Sequence, residues 1–248
     1  EFNSILQNKN HDLDSKNASL DQLNQEKDML MQIVAHDLKS PLNNVMGLRE
    51  LLEAMGDLTE QQLEVLRRID KAVGKGLELI RNLLDLAALE NGKMSTRSEK
   101  TELSGLLRRI TSEYELKASK KSISLHLDLP EKPVAIQTDP SHYERIVENL
   151  ISNAIKYSPQ GKRVWIELLE DTEITKTVVR DEGPGISPED QTKLFGKFQK
   201  LSARPTGGES SNGLGLAIVK AFSDQIGAKI EVDSELGGGT EFALLMYN

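Results

Sequence analysis

The chain contains no cysteine and one tryptophan, and aromatic residues of all kinds make up only 4% of it. The absence of thiols excludes disulfide scaffolds, thiolate zinc centres and cysteine nucleophiles. It is compatible with a reducing compartment, and the chain reads as cytoplasmic. With so few rings, a core has to come from Leu, Ile, Val and Ala, which suits helical bundles better than β-sandwiches. No apolar run approaches the ~18 residues that a membrane-spanning helix needs, and no secretory signal is visible. Excess positive charge is lacking too: 31 Lys and Arg stand against 39 Asp and Glu, for a formal net charge of −8. Binding to nucleic acid rests on clustered cations facing phosphates, so nucleic acid is not an expected partner. The four histidines, His11, His36, His126 and His142, are too scattered to form a metal-ligand cluster.

What is present begins with a heptad pattern. Over residues 5–35, Leu6, Leu13, Leu20, Lys27 and Val34 share one position, and Lys9, Lys16, Leu23 and Leu30 share another. A seam repeating every 3.5 residues predicts a left-handed coiled coil, although lysines interrupt it. The helical pattern runs on to Met55 with Pro41 inside it, where a lost hydrogen bond and a clash with the preceding turn predict a kink. Gly56-Asp57 breaks the run, and Thr59-Glu60-Gln61-Gln62 reads as a capping box opening a second helix. Leu63, Leu66, Ile69, Val73, Leu77, Ile80, Leu84 and Ala87 form one stripe on it, and Asn91-Gly92 ends it. Two long helices with a short link make an antiparallel hairpin. One hairpin cannot bury both stripes, whereas two can as a four-helix bundle, so a homodimer follows from packing.

Beyond Gly92 the texture changes to a mixed α/β unit of ordinary domain size. Met94–Lys100 reads as a linker or short strand. Leu103–Ser119, Pro140–Tyr157 and Leu214–Gln225 read as helices. Ile123–Leu129, Val134–Gln137, Val164–Leu169, Ile174–Arg180, Lys229–Asp233 and Thr240–Met246 read as strands.

Four places carry residues suited to phosphoryl chemistry. His36 lies mid-helix beside Asp37, five residues before Pro41. A lone helical histidine is usually an ordinary surface residue. A neutral imidazole is nevertheless a nucleophile near neutral pH, able to attack phosphorus, and an adjacent carboxylate can orient it and stabilise its positive charge. Neighbouring helical residues do not face each other, so Asp37 has to reach round. On Pro140–Tyr157, Tyr143, Ile146, Val147, Leu150, Ile151 and Ala154 form an apolar face, while Asn149, Asn153 and Lys156 align on another. Amide oxygens suit Mg²⁺ and an ammonium suits phosphate; read alone, that face is also what a solvated helix shows. Asp181-Glu182-Gly183-Pro184-Gly185-Ile186 follows a strand, so its carboxylate can accept from an adenine amino group while the glycines allow close backbone approach. Asn212-Gly213-Leu214-Gly215-Leu216 opens a helix whose first N–H groups can face phosphate. It is neither a Walker loop, lacking Gly-Lys-Ser/Thr, nor a Rossmann turn following a strand.

In this order the pieces resemble the histidine protein kinase family. His36–Leu42 is similar to its H box, Asn149–Tyr157 to its N box, Asp181–Ile186 to its first glycine box, Phe195–Phe198 to its F box and Asn212–Leu216 to its second glycine box. The resemblance covers nearly the whole chain. It implies a signal-transmitting coiled coil (1–35), a dimerisation and phosphotransfer hairpin (36–92), a linker (93–100) and an ATP-binding α/β sandwich domain of the Bergerat type (101–248). It implies that His36 accepts the γ-phosphoryl group of ATP with help from Asp37. Asn153 would ligate Mg²⁺ with Asn149 beside it. Lys156 and Tyr157 would meet phosphates and base or ribose, and Asp181 the adenine amino group, backed by Gly183, Gly185 and Ile186. Lys200 would contact phosphate from a mobile lid spanning Phe195–Asn212, and Gly213, Leu214, Gly215 and Leu216 would cradle the phosphates. The phosphoryl group would pass to an aspartate on the receiver domain of a response regulator. The chain opens on Glu1-Phe2-Asn3-Ser4, inside a helical pattern, as expected of a piece whose sensor domain lies upstream in a soluble or membrane-anchored protein.

Two positions depart from the family. Ser211 stands where the second glycine box often begins with glycine, and Ser40 stands where Thr or Asn is usual for dephosphorylating the regulator. Two other readings compete. Water-activating ATPases of the same nucleotide fold carry a glutamate one turn before the magnesium asparagine; here that position is Asn149, an amide that cannot act as base. A degenerate kinase acting as a scaffold would lack part of the machinery, whereas His36 and the nucleotide positions are all in place.

Overall fold

In the computed structural model, which describes residues 2–90, 96–199, 201–207 and 213–247, the heptads and the stretch after them form one helix, α1 (Phe2–Ala54). Pro41 is carried inside that helix without ending it. Leu13, Leu20, Leu23, Leu30 and Val34 are exposed along α1; the Leu6 side chain lies outside the described residues. The chain divides into two compact units, Glu1–Met94 and Ser95–Asn248.

In the first unit, Gly56 and Asp57 both take positive φ, 74° and 56°, which reverses the chain over a short link. The second helix, α2 (Glu60–Glu90), opens on the expected capping box. The Thr59 N–H donates to Gln62 Oε1 at 2.8 Å, and the Gln62 N–H donates back to Thr59 Oγ1 at 3.3 Å. Leu66, Val73, Ile80 and Ala87 of α2 and Ala35 of α1 are buried. Arg49 Nε stands 3.0 Å from Asp70 Oδ2, an ion pair between the two helices of the hairpin. Gly76 permits a close approach: a Cβ there would lie 3.0 Å from Leu42 Cδ1, one residue past the proline. The expected stop at Asn91-Gly92 lies outside the described residues, as do 93–95 of the linker.

The second unit starts with β1 (Glu99–Glu102), α3 (Leu103–Ser119), β2 (Ser124–Asp128), β3 (Ala135–Thr138) and α4 (Pro140–Tyr157). It continues through β4 (Arg163–Glu170), β5 (Ile174–Asp181), the short α5 (Pro188–Gln191), α6 (Gly215–Gln225), β6 (Lys229–Glu235) and β7 (Gly239–Tyr247). One sheet runs β2-β4-β5-β7-β6, with β2 parallel to β4 and the other pairs antiparallel. β1 pairs with β3 in a separate ribbon. The helix α4 is set by its cap and its stripe. Asp139 Oδ1 accepts from the N–H groups of Ser141 and His142, Pro140 occupies the first turn, and Tyr143, Ile146, Val147, Leu150, Ile151 and Ala154 are buried. They pack with Val164, Ile166 and Leu168 of β4 and Val179 of β5, all buried, as two layers sharing one core. On the opposite face of the sheet the guanidinium groups of Arg163 and Arg180 stand 5.0 and 4.6 Å from the ring centre of Trp165.

Candidate functional site

On the first unit, the chemistry is confined to one turn of α1. His36 and Asp37 project into solvent, with side chains 84% and 72% exposed, and His36 Nδ1 stands 3.4 Å from Asp37 Oδ1. The carboxylate does reach round to its neighbour. A proton held on Nδ1 toward Asp37 leaves Nε2 as the free lone pair, pointed at solvent and open to an incoming electrophile.

On the second unit, the residues collect around both ends of the polar face of α4. Asn149 Nδ2 donates to Arg145 O one turn back, at 2.7 Å, which leaves Asn149 Oδ1 as its outward atom. That oxygen faces the first residue of α6: a Cβ on Gly215 would sit 3.2 Å from Asn149 Oδ1 and within 3.9 Å of both amide atoms of Asn153. The N-cap residue of α6, Leu214, makes no side-chain cap hydrogen bond, whereas Glu102 caps α3 and Asp139 caps α4. The first N–H groups of α6 carry the positive end of the helix dipole. The amide side chains of Asn149 and Asn153 and the N-terminus of α6 therefore share one small space, kept clear by the missing side chain of Gly215.

Lys156 and Tyr157 close the last turn of α4, with Lys156 Nζ 5.8 Å from the Tyr157 ring centre. Next to them lies the glycine loop. Gly183 is pressed against Tyr157, where a Cβ would be 3.3 Å from the tyrosine carbonyl oxygen. Asp181, at the end of β5 and only 8% exposed, accepts the Gly183 N–H at 2.7 Å. Burial pushes its carboxyl up to about 6, against the pull of the N–H groups of Gly183 and Thr240. Gly185 takes φ 71°, and a Cβ there would run into the Glu235 carbonyl. Ile186 is buried. Gly213 takes φ 65° against the backbone of Phe198 and Gln199, Leu214 is buried, and Leu216 is half-buried. Lys200, Ser211 and Asn212 lie outside the described residues.

Some residues that shape this site escaped the sequence reading. Ser234 Oγ accepts the Ile186 N–H at 2.9 Å, and Gln191 Nε2 donates to Ile186 O at 3.0 Å and Ser234 O at 2.8 Å. The Gly237 N–H donates to Pro184 O at 2.8 Å. The glycine loop is thus clamped onto the β6–β7 turn. The only local signal was Ser187-Pro188, a cap followed by a first-turn proline that marks α5 and so the place of Gln191. Thr206, whose hydroxyl donates to Ser158 O at 2.5 Å, gave no signal at all.

The residues fit a nucleotide and its magnesium by donor type. Magnesium prefers oxygen and keeps several waters, so amide oxygens plus phosphate oxygens suffice. Among the described residues no cluster of three His, Cys, Asp or Glu exists that would compete for a metal.

Residues 26–92 match the His Kinase A (phospho-acceptor) domain. Residues 138–247 match the histidine kinase-, DNA gyrase B- and HSP90-like ATPase family. Sensor histidine kinase TmoS of Ectopseudomonas mendocina is 32% identical over 244 residues, covering 96% of this chain and 25% of that protein. Circadian input-output histidine kinase CikA of Synechococcus elongatus is 34% identical over 226 residues, covering 88% of this chain and 29% of that protein. The chain thus spans about a quarter of the length of these relatives. Among solved structures, full-length ShkA in complex with AMPPNP superposes with a TM-score of 0.71 at 26% identity, over 88% of this chain and 45% of that one. No helix among the described residues is long and apolar enough to cross a membrane. A phosphoacceptor helical hairpin followed by an ATPase domain of this type places the chain in the sensor histidine kinase family.

Proposed function

We propose that this chain binds Mg·ATP on its second unit, transfers the γ-phosphoryl group to His36, and then passes it to an aspartate on the receiver domain of a response regulator. The observation that carries the reading is the alignment of Asn149 and Asn153 beside the N-terminus of α6 at Gly215. Amide side chains beside a helix N-terminus form a place for a triphosphate with its metal.

In this reading Asp181 accepts a hydrogen bond from the adenine amino group, and Gly183, Gly185 and Ile186 bring backbone against the base. Lys156 and Tyr157 meet phosphate and ribose, Gly213 through Leu216 cradle the phosphates, and Lys200, outside the described residues, is a further phosphate contact. Asn153 holds magnesium, whose role when bound is to neutralise phosphate charge. His36 Nε2 attacks the γ-phosphorus in line, the bond to the β-phosphate oxygen breaks, and ADP leaves. Asp37, on Nδ1, stabilises the cation that forms on the ring. The exposed leucines of α1 call for a second copy of the chain, so the unit acts as a homodimer, and upstream signals reach His36 through residues 1–35.

Incubation of the chain with γ-labelled Mg·ATP tests this. Acid-labile, alkali-stable label is expected on the wild type and lost in both His36→Gln and Asn153→Ala. Label that persists in His36→Gln refutes the assignment of the acceptor.

A further inference from the structure

The last turn of α4 supports two loops at once. A helix ends with carbonyls that have no partner inside it, and here they are taken up from outside. Lys121 Nζ donates to Ile155 O at 2.9 Å and to Lys156 O at 2.8 Å. Lys156 O also accepts the Thr206 N–H at 3.2 Å, and the Thr206 hydroxyl lies 3.3 Å from it and donates to Ser158 O at 2.5 Å. On the other side of the same turn, Gly183 abuts Tyr157 O. The segment that reaches α4 through Thr206 is fastened earlier too: Ser202 donates from its N–H and its hydroxyl to Asp190 Oδ2, at 2.8 and 2.5 Å. Only Ala203, Arg204 and Pro205 separate the fastenings, and Pro205 stiffens the approach by fixing its own φ.

We infer that Thr206 is a positioning residue for nucleotide binding. Its hydroxyl fastens the turn of α4 from which Lys156 and Tyr157 project. The inference rests on the reading of Lys156 and Tyr157 as nucleotide contacts. A ligand held by those side chains needs the turn that carries them at a fixed place, and the threonine hydroxyl supplies one of the fastenings of that turn. Nothing in the tie touches the reacting atoms, so it acts on affinity rather than on the chemical step.

Thr206→Val removes the hydroxyl, keeps the shape and leaves the backbone N–H bond in place, whereas Thr206→Ser keeps the hydroxyl. With the full chain, Thr206→Val is expected to raise the KM for ATP and the Kd for AMPPNP by about 2- to 13-fold, the range for one neutral hydrogen bond. The kcat should stay within about twofold, because the tie is remote from phosphorus. Thr206→Ala repeats the measurement without the β-branched bulk and should match it. Thr206→Ser should restore wild-type values. Wild-type affinity in Thr206→Val, or a serine variant as weak as the valine one, overturns the inference. A wild-type chain that binds no AMPPNP overturns the nucleotide reading beneath it as well, so the two failures are told apart.

Discussion

Asp181 is asked to do something its surroundings resist, and that conflict is measurable. Its carboxyl is buried at the end of β5, and burial lifts it from 3.8 to about 6. The folded state therefore holds the proton more tightly than the unfolded chain does. Between pH 4 and 6 folding takes up a proton at this group, so its contribution to stability is greatest below pH 4 and is lost as pH rises through 6. At about 1.36 kcal/mol per pKa unit, the full loss is about 3 kcal/mol, an upper limit because a relaxing loop can admit water. Binding runs the other way: the ionised carboxylate is the stronger acceptor for an adenine amino group, so nucleotide affinity should rise through the same window in which nucleotide-free stability falls.

Asp181→Asn separates the two effects. Asparagine cannot titrate, so the difference in stability between wild type and variant should change with pH even if the substitution shifts stability by a constant amount. Wild type should lose up to about 3 kcal/mol relative to the variant between pH 4 and 7. For a unit of this size that corresponds to a relative fall in melting temperature of about 6 to 12 °C. Calorimetry of the nucleotide-free chain across that range measures it. Titration with AMPPNP at pH 7.5 should show the variant about 10- to 150-fold weaker, the range for a hydrogen bond to a charged acceptor. Stability curves that stay parallel from pH 4 to 7 would refute the burial argument, and undiminished affinity would remove Asp181 from the site.

Gly185→Ala should be costly in two ways, since φ 71° disfavours an L side chain by about 1 to 2 kcal/mol and the new methyl would meet the Glu235 carbonyl; a lowered melting temperature together with loss of AMPPNP binding checks this. Gly74 presents the opposite case, because a Cβ there meets nothing within 4 Å and the residue lies inside α2. Gly74→Ala should stabilise the first unit by about 0.8 to 1 kcal/mol through helix propensity, read as a rise in its thermal transition, and a fall would mean that the surface is covered by something the single chain does not show.

Periodicity and caps made most of the fold legible. The boundaries of α3 and α4 were read to the residue because each starts at a side-chain cap and carries an uninterrupted apolar stripe, with Asp139-Pro140 the clearest case. Pro41, expected to bend α1, lies inside the helix, which runs on through it. The parallel pairing of β2 with β4 was not legible, because strand alternation says which face is buried and nothing about which neighbour is chosen. The site divides along the same line. Asn149, Asn153, Asp181 and the glycines were visible because each residue type carries its chemistry with it. Ser234, Gln191 and Thr206 were not, because their role lies in a partner dozens of residues away, a backbone carbonyl or N–H that any sequence could supply. The residues proposed to meet a ligand are therefore marked by type, whereas those that hold them in place are marked only by geometry. A serine or threonine outside every motif, such as Thr206, is where a change should alter affinity without altering chemistry.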